Sequence, residues 1–124
     1  MSGETILLVD DEANIVQLAR LYLQREGYTV IDEGDGLRAV ERVNADHPAL
    51  MVLDIMLPGM DGYEITRRIR AQLRFRKLPI LALTAKAMKG DREKCLEAGA
   101  NDYLSKPVDA ERLLSMLRVW LSKE

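Results

Sequence analysis

Short apolar runs alternate along this chain with segments whose apolar residues recur at helical spacing, and this alternation restricts the fold more than any other feature. The strand-like runs are residues 6–9, 28–31, 50–53, 80–83 and 102–104. Because they lack polar alternation, they predict strands buried on both faces, as in a parallel sheet. We therefore expect an α/β fold, namely a flavodoxin-like (βα)5 doubly wound parallel sheet with strand order 2-1-3-4-5.

The segments between the runs predict helices that cover both faces of this sheet. The apolar residues at helical spacing, which we expect to face the core, are Ile15, Leu18, Leu21 and Tyr22 in the first helix, Leu37, Val40 and Val43 in the second, Ile65, Ile69 and Leu73 in the third, and Leu113, Leu114, Leu117, Trp120 and Leu121 in the fifth. A shorter fourth helix is predicted over residues 91–98, before Gly99.

Length and charge limit the classes of function. The 124 residues have room for one domain, and we expect it to span residues 1–124. The net charge of −2 gives no general attraction to nucleic acid or to anionic membranes. Six basic residues around the third helix, including Arg70, indicate a solvated face. The single cysteine, Cys95, cannot form an internal disulfide, and no signal-like or bilayer-length apolar segment is apparent, so a cytoplasmic protein without membrane insertion is expected.

Carboxylates follow two of the predicted strands. Asp10, Asp11 and Glu12 come directly after strand one, and Asp54 comes after strand three. These strands are neighbours in the expected order, and carboxylates gathered at one sheet edge repel one another unless a cation or protons share the site. Since an oxygen-rich ligand set favours Mg²⁺ or Ca²⁺, and Mg²⁺ keeps positions open for phosphoryl oxygens, we predict Mg²⁺ at this edge.

Two further polar residues end the remaining strands. Thr84 closes strand four and Lys106 follows strand five. A lysine and a hydroxyl can contact phosphoryl oxygens, and a carboxylate such as Asp54 can act as the nucleophile that forms an aspartyl phosphate. Each residue alone is more simply explained as a helix cap or a surface charge. Their joint position at the carboxyl ends of the strands favours a catalytic site.

The residues resemble, over nearly the whole chain, the receiver domain of bacterial two-component response regulators. The resemblance is carried by four segments, which are Leu7-Leu8-Val9-Asp10-Asp11-Glu12, the run from Leu53-Asp54 to Asp61-Gly62, Leu83-Thr84-Ala85, and Ser105-Lys106-Pro107. It implies a phosphoacceptor role for Asp54, and a signalling domain that promotes only its own phosphorylation and dephosphorylation rather than an enzyme.

The resemblance also implies how the site residues are used. Asp11 and Asp54 would bind Mg²⁺ directly together with the backbone carbonyl of Met56, and Asp10 would assist through water. Thr84 and Lys106 would contact the phosphoryl oxygens. The Lys106-Pro107 peptide bond is expected to be cis.

Receivers resemble one another in their switch as well. Thr84 would move toward the phosphoryl group while Tyr103 rotates inward, which changes a face formed by helix four, strand five and helix five. Residues of that face outside strand five are Lys86, Met88, Lys89 and Arg92. The implied partners are a histidine kinase or histidine phosphotransfer protein and a downstream protein target, with a homodimer possible and no direct contact with nucleic acid.

Other functions fit the same fold class less well. A flavin-binding electron carrier needs a phosphate-cradling loop after strand one, where Asp10, Asp11 and Glu12 stand instead. A phosphatase of the haloacid dehalogenase type needs a second aspartate two residues after the nucleophile, and that position holds Met56. A receiver-like binding module that signals without phosphorylation remains a minor alternative.

Overall fold

The computed structural model describes residues 3–57, 60–84 and 91–122, and within these ranges five parallel strands form one sheet in the order β2-β1-β3-β4-β5. The strands are β1 (Thr5–Val9), β2 (Thr29–Glu33), β3 (Leu50–Asp54), β4 (Ile80–Thr84) and β5 (Asp102–Ser105). The helices are α1 (Ala13–Arg25), α2 (Gly36–Asp46), α3 (Gly62–Arg70), α4 (Asp91–Ala98) and α5 (Ala110–Leu121), and a 3-10 helix spans Leu73–Phe75. The predicted flavodoxin-like fold is confirmed.

The core lies in two layers, one on each face of the sheet. In β1, Leu7 and Val9 face the layer that includes residues of α2 and α3, whereas Ile6 and Leu8 face the layer that includes residues of α1 and α5. The central strands are thus buried on both faces, as predicted. The edge strand β2 differs, since only Val30 among its residues is buried.

Four leucines predicted to face the core are exposed instead. Leu18 and Leu21 in α1 are 45% and 53% exposed, Leu37 in α2 is 60% exposed, and Leu73 is 79% exposed. The predicted faces were therefore wrong at these positions. In α1 the sheet is contacted by Ala19 and Leu23, which lie on a different stripe of the same helix.

The error at Leu73 has a backbone cause. Helix α3 ends at Arg70, earlier than the periodicity indicates, and the chain turns into the 3-10 helix. That turn exposes Leu73 and buries Phe75, which joins the core layer next to α3. The helical spacing of apolar residues does not predict this change from an α-helix to a 3-10 helix.

Arg70 is half-buried rather than solvated, which corrects the interpretation of the basic residues around α3 as one solvated face. Its guanidinium donates hydrogen bonds to the carbonyl oxygens of Gly99 (2.8 Å) and Phe75 (2.8 Å) and to Oδ1 of Asn101 (2.6 Å). Asn101 Oδ1 also accepts a hydrogen bond from the Ile80 amide at 2.8 Å. These bonds tie the end of α3 to the start of β4 and to the α4–β5 connection.

None of the helices in the described ranges has both the length and the apolar character that crossing a bilayer would require.

Candidate functional site

Two buried carboxylates lie at the carboxyl edge of the sheet. Asp54 ends β3 and Asp10 follows β1, and these strands are paired in parallel. Their side chains are 3% and 0% exposed. Oδ1 of Asp54 accepts a hydrogen bond from the Met56 amide (2.9 Å), and Oδ1 of Asp10 accepts one from the Glu12 amide (2.9 Å). In each case the backbone two residues ahead fixes the carboxylate.

The ammonium of Lys106 lies between the acidic side chains. Its Nζ is 3.1 Å from Oδ2 of Asp54, 3.2 Å from Oδ2 of Asp10 and 2.5 Å from Oε1 of Glu12. The predicted cis bond between Lys106 and Pro107 is present. Burial lowers the pKa of Lys106, but the hydrogen bonds to Glu12 and Asp54 and the charge of Asp10 outweigh it, so this pKa lies above its ordinary value. Lys106 is therefore fully charged at neutral pH.

The charges of this group suit a divalent cation. Carboxylate oxygens of Asp10, Glu12 and Asp54 all lie within 4.8 Å of one another. Three carboxylates and one ammonium leave two net negative charges at the site. Oδ2 of Asp10 is buried and has no hydrogen-bond partner among the described residues, which is costly for a carboxylate oxygen. A hard cation bound by oxygen ligands would supply the missing partner, so the donor set fits Mg²⁺.

The pKa of Asp10 reports the same imbalance. Burial raises the pKa of this carboxyl group and the charge of Asp54 raises it further, while the Glu12 amide and the charge of Lys106 lower it, with a net upward shift. The carboxylate of Asp10 is thus undercompensated in the protein without metal.

The acidic cluster differs from the predicted ligand set at one position. Asp11, predicted as a direct metal ligand, has an exposed side chain and does not belong to the group of three close carboxylates. The third carboxylate of this group is that of Glu12, which was not among the predicted ligands, and the role of Asp11 as a ligand stays a prediction. A signal for Glu12 existed, since it continues the acidic run after β1, but the sequence does not show which of two adjacent side chains turns toward Lys106.

Met56 follows Asp54 at the surface, with its side chain 69% exposed. Its amide orients Asp54, as described above. The predicted metal ligand is its carbonyl oxygen, whose role as a ligand stays a prediction.

Thr84 lies at the same edge, at the end of β4. It is fully buried, and its Oγ1 has no hydrogen-bond partner within the described part of the chain. The amide of Lys106 donates to the Thr84 carbonyl oxygen at 2.8 Å, which sets the two residues side by side. A buried hydroxyl without a partner is available to donate to an incoming group.

Tyr103 is half-buried in β5, where it pairs in register with Ala82 and packs against the core layer that contains Phe75. Of the other residues predicted for the switching face, Lys86, Met88 and Lys89 lie outside the described residues. Arg92 is in α4 and exposed.

The loop that follows Asp54 folds back against the strand. The Ile55 amide donates to the Leu83 carbonyl oxygen (3.0 Å), and the Gly62 amide donates to the Ile55 carbonyl oxygen (3.1 Å). Gly62 begins α3 so close to Ile55 that a Cβ there would lie 2.4 Å from the Ile55 Cα. A glycine is therefore required for α3 to start beside the site.

Known proteins support this description of the fold. The sequence profile of the response regulator receiver domain family matches residues 6–118. The alkaline phosphatase synthesis transcriptional regulatory protein PhoP of Bacillus subtilis strain 168 is 42% identical over 122 residues, which make up 98% of this chain and 50% of that protein.

Solved structures give the same result. The receiver domain of the sensor histidine kinase PA1611 from Pseudomonas aeruginosa PAO1, with a magnesium ion coordinated in its active site cleft, is 42% identical, with a TM-score of 0.90 over 98% of this chain and 100% of that one. The BeF3-activated N-terminal receiver domain of Klebsiella pneumoniae RstA is 35% identical, with a TM-score of 0.88 over 96% of this chain and 99% of that one. The chain spans about half the length of the curated relatives it matches.

Proposed function

Because this chain belongs to the response-regulator receiver domains of two-component signalling, we propose that Asp54 accepts a phosphoryl group and that Thr84 and Lys106 contact its oxygens. The observation that carries the proposal is the pairing of a buried carboxylate with a cation, since Asp54 Oδ2 accepts a hydrogen bond from Lys106 Nζ at 3.1 Å. Asp10 completes the acidic edge beside them.

The proposed reaction transfers a phosphoryl group from a nitrogen or oxygen leaving group of the donor to a carboxylate oxygen of Asp54. An Asp54 carboxylate oxygen attacks phosphorus, and the bond from phosphorus to the imidazole nitrogen of a phosphohistidine breaks. The electron pair of that bond stays on the imidazole. With acetyl phosphate as donor, the broken bond is the phosphorus–oxygen bond to the acetyl group, and acetate leaves without needing a proton. Lys106 and the Thr84 hydroxyl stabilise the charge on the transferred oxygens.

Mg²⁺ is the proposed cofactor. Asp10, Asp11 and Asp54 with the Met56 carbonyl oxygen are the proposed ligands, of which Asp10 acts through water. When bound, the ion neutralises charge on the phosphoryl oxygens. The buried Oδ2 of Asp10 supports this assignment, since it has no hydrogen-bond partner among the described residues and only the Lys106 ammonium at 3.2 Å. Binding by Asp11 requires its exposed side chain to turn inward, and exposed carboxylates change rotamer at low cost.

Phosphorylation is proposed to change the face formed by α4, β5 and α5. The phosphoryl group favours the arrangement in which Thr84 donates to it, and Tyr103 then moves further into the space beside β4. Two observations support this coupling: the Thr84 hydroxyl has no hydrogen-bond partner within the described ranges, and Tyr103 is half-buried.

The proposed partners are a histidine kinase or phosphotransfer protein as donor, a downstream protein as target and a second copy of this chain, with no direct nucleic-acid contact by this domain. The domain is proposed to catalyse only its own phosphorylation and dephosphorylation. A cytoplasmic location is proposed because the sequence has a single cysteine, Cys95, and so cannot form an internal disulfide, which suits a reducing compartment.

Labelling with acetyl phosphate and Mg²⁺ tests the assignment. We expect intact-mass spectrometry to show one added phosphoryl group, and we expect EDTA or the Asp54→Asn substitution to abolish it. Asp46→Asn serves as a control, because Asp46 is at the far end of α2. Normal labelling of Asp54→Asn would refute the site, and an unlabelled wild-type protein would favour the binding module that signals without phosphorylation.

A further inference from the structure

We propose that Glu12 is a positioning residue that holds Lys106 in the unphosphorylated protein and thereby slows the capture of an anionic phosphodonor. This inference rests on the proposed phosphorylation of Asp54. Asp54, Thr84 and Lys106 are proposed to promote the reaction, whereas Glu12 is proposed to slow it.

The backbone of Glu12 is fixed from both sides. Its amide donates to Asp10 Oδ1 at 2.9 Å, and its carbonyl oxygen accepts hydrogen bonds from the amides of Ile15 (3.1 Å) and Val16 (3.0 Å) at the start of α1. Its side chain makes no capping hydrogen bond to the helix. The carboxylate is therefore free to reach across the site to Lys106, at 2.5 Å.

Glu12 differs from the two aspartates in exposure. Its side chain is 57% exposed, whereas those of Asp10 and Asp54 are almost fully buried. When the contact with Lys106 breaks, water can solvate the Glu12 carboxylate at little cost. The two aspartates have no such compensation, since burial makes an unpaired charge expensive.

Lys106 must exchange a hydrogen bond in order to reach a phosphoryl oxygen. The structure gives its ammonium hydrogen bonds to Glu12 and to Asp54 and an ion pair with Asp10 at 3.2 Å, so three carboxylates already compete for its three donors. Asp54 is the group that takes the phosphoryl, so the ammonium stays close to it. The bond to Glu12 is the one that is given up, and Glu12 therefore competes with the donor for Lys106.

Competition and simple charge repulsion can be separated by two substitutions. Glu12→Gln removes the charge and weakens the contact, whereas Glu12→Asp keeps the charge on a side chain one methylene shorter, which draws it away from Lys106. If Glu12 acts by holding Lys106, both substitutions accelerate labelling. If it acts only by repelling the donor, Glu12→Asp behaves as wild type.

The experiment measures the initial rate of Asp54 labelling against acetyl phosphate concentration at fixed Mg²⁺. We expect the slope at low donor concentration to rise roughly two- to fivefold in Glu12→Gln and most of that gain to appear in Glu12→Asp, the size typical of breaking one part-exposed ion pair. Glu41→Gln, which removes an exposed charge from α2, is the matched control and should not change the rate. Thermal unfolding of each variant checks that the fold is kept.

A second measurement does not depend on phosphorylation. The hydrogen exchange of the Lys106 ammonium, followed by NMR, should be faster in both Glu12 variants than in the wild type and the Glu41→Gln control. Unchanged exchange, or a labelled wild type with no gain in Glu12→Gln, would overturn the role of Glu12 alone. Failure of every variant and of the wild type to become labelled would overturn the proposed function, and this role with it.

Discussion

At the scale of residues, the charge balance of the site depends on one lysine that lies between three carboxylates. Lys106 compensates the exposed Glu12 and the buried Asp54 through hydrogen bonds, but Oδ2 of Asp10 has only its charge nearby and no hydrogen bond within the described residues. Without a divalent ion the charged form of Asp10 therefore costs stability. That cost keeps the site ready to bind a cation.

The raised pKa of Asp10 gives stability a pH dependence of known sign. The native state holds the Asp10 proton more tightly than the unfolded state, whose value is near 3.8. The contribution of Asp10 to the free energy of unfolding therefore falls as the pH rises from that value through the raised pKa. In metal-free buffer at pH 7 we expect Asp10→Asn to unfold roughly 2–5 °C above the wild type, with the difference shrinking toward pH 3.

Calorimetric or fluorescence melting curves at several pH values measure this effect. Glu41→Gln is the control for loss of an exposed charge and should change the melting temperature little. Addition of Mg²⁺ should stabilise the wild type more than Asp10→Asn. A lower melting temperature for Asp10→Asn in metal-free buffer would show that the pairing with Lys106 outweighs the burial of Asp10.

Most of the site could be predicted from the sequence because its residues stand at strand ends. Asp10, Asp54, Thr84 and Lys106 meet at one edge once the strands are parallel and in the observed order. The places of Asp11 and Glu12 could not be predicted in the same way. Both lie beyond the end of β1, so the alternation of side chains along a strand no longer decides which of them turns inward. Their rotamers decide it instead.

At the scale of elements, close backbone approaches fix where helices begin relative to the sheet. The start of α3 packs against Ile55, which is the residue after Asp54. Only a glycine at position 62 allows this contact. The end of α4 was predictable for a different reason, since Gly99 follows it with a positive φ of 115°, a conformation that favours glycine. Helix faces were less predictable, because the exposed Leu18 and Leu37 obey the same periodicity as buried residues.

We predict that Gly62→Ala loses about 1–3 kcal/mol of unfolding free energy, because its methyl group would have to displace the Ile55 backbone. Gly34→Ala is the matched control. The Cβ at position 34 would meet Asp10 O at 3.7 Å and Asp11 Cα at 3.8 Å, which are ordinary contacts. We expect that control to stay within about 0.5 kcal/mol of the wild type. Urea unfolding measures both, and equal stability of the two variants would contradict the required close approach.

At the scale of the whole molecule, the sheet separates chemistry from structural support. The carboxyl edge holds the acidic cluster, while Arg70 and Asn101 join α3, β4 and the α4–β5 connection at the opposite edge. When Thr84 moves at one end of β4, the opposite end of that strand, at Ile80, is held in place by Asn101 and Arg70. The opposite anchor was not predictable, because a basic residue in a basic stretch gives no sign that its partners are carbonyl oxygens.

The proposed coupling to the α4–β5–α5 face can be tested with Thr84→Val. The buried Thr84 hydroxyl has no hydrogen-bond partner among the residues that the structure describes, and its replacement by a methyl group is expected to raise the unfolding free energy by about 1 kcal/mol. With beryllofluoride and Mg²⁺, the wild type should show altered amide hydrogen exchange in α4 and β5, including Tyr103. Thr84→Val should bind the same ligand and leave that exchange unchanged. Equal responses in both proteins would exclude Thr84 as the connecting residue.

The hydrogen bond between Lys106 and Glu12 joins residues 94 positions apart in the sequence, and this has a consequence during synthesis. A ribosome delivers Asp10 and Asp54 well before Lys106 leaves the exit tunnel. The acidic edge of a nascent chain is then without its ammonium, and under the proposed function we expect phosphoryl acceptance only once β5 has joined the sheet. Nascent chains that lack β5 are therefore not expected to take phosphoryl groups from the proposed donor.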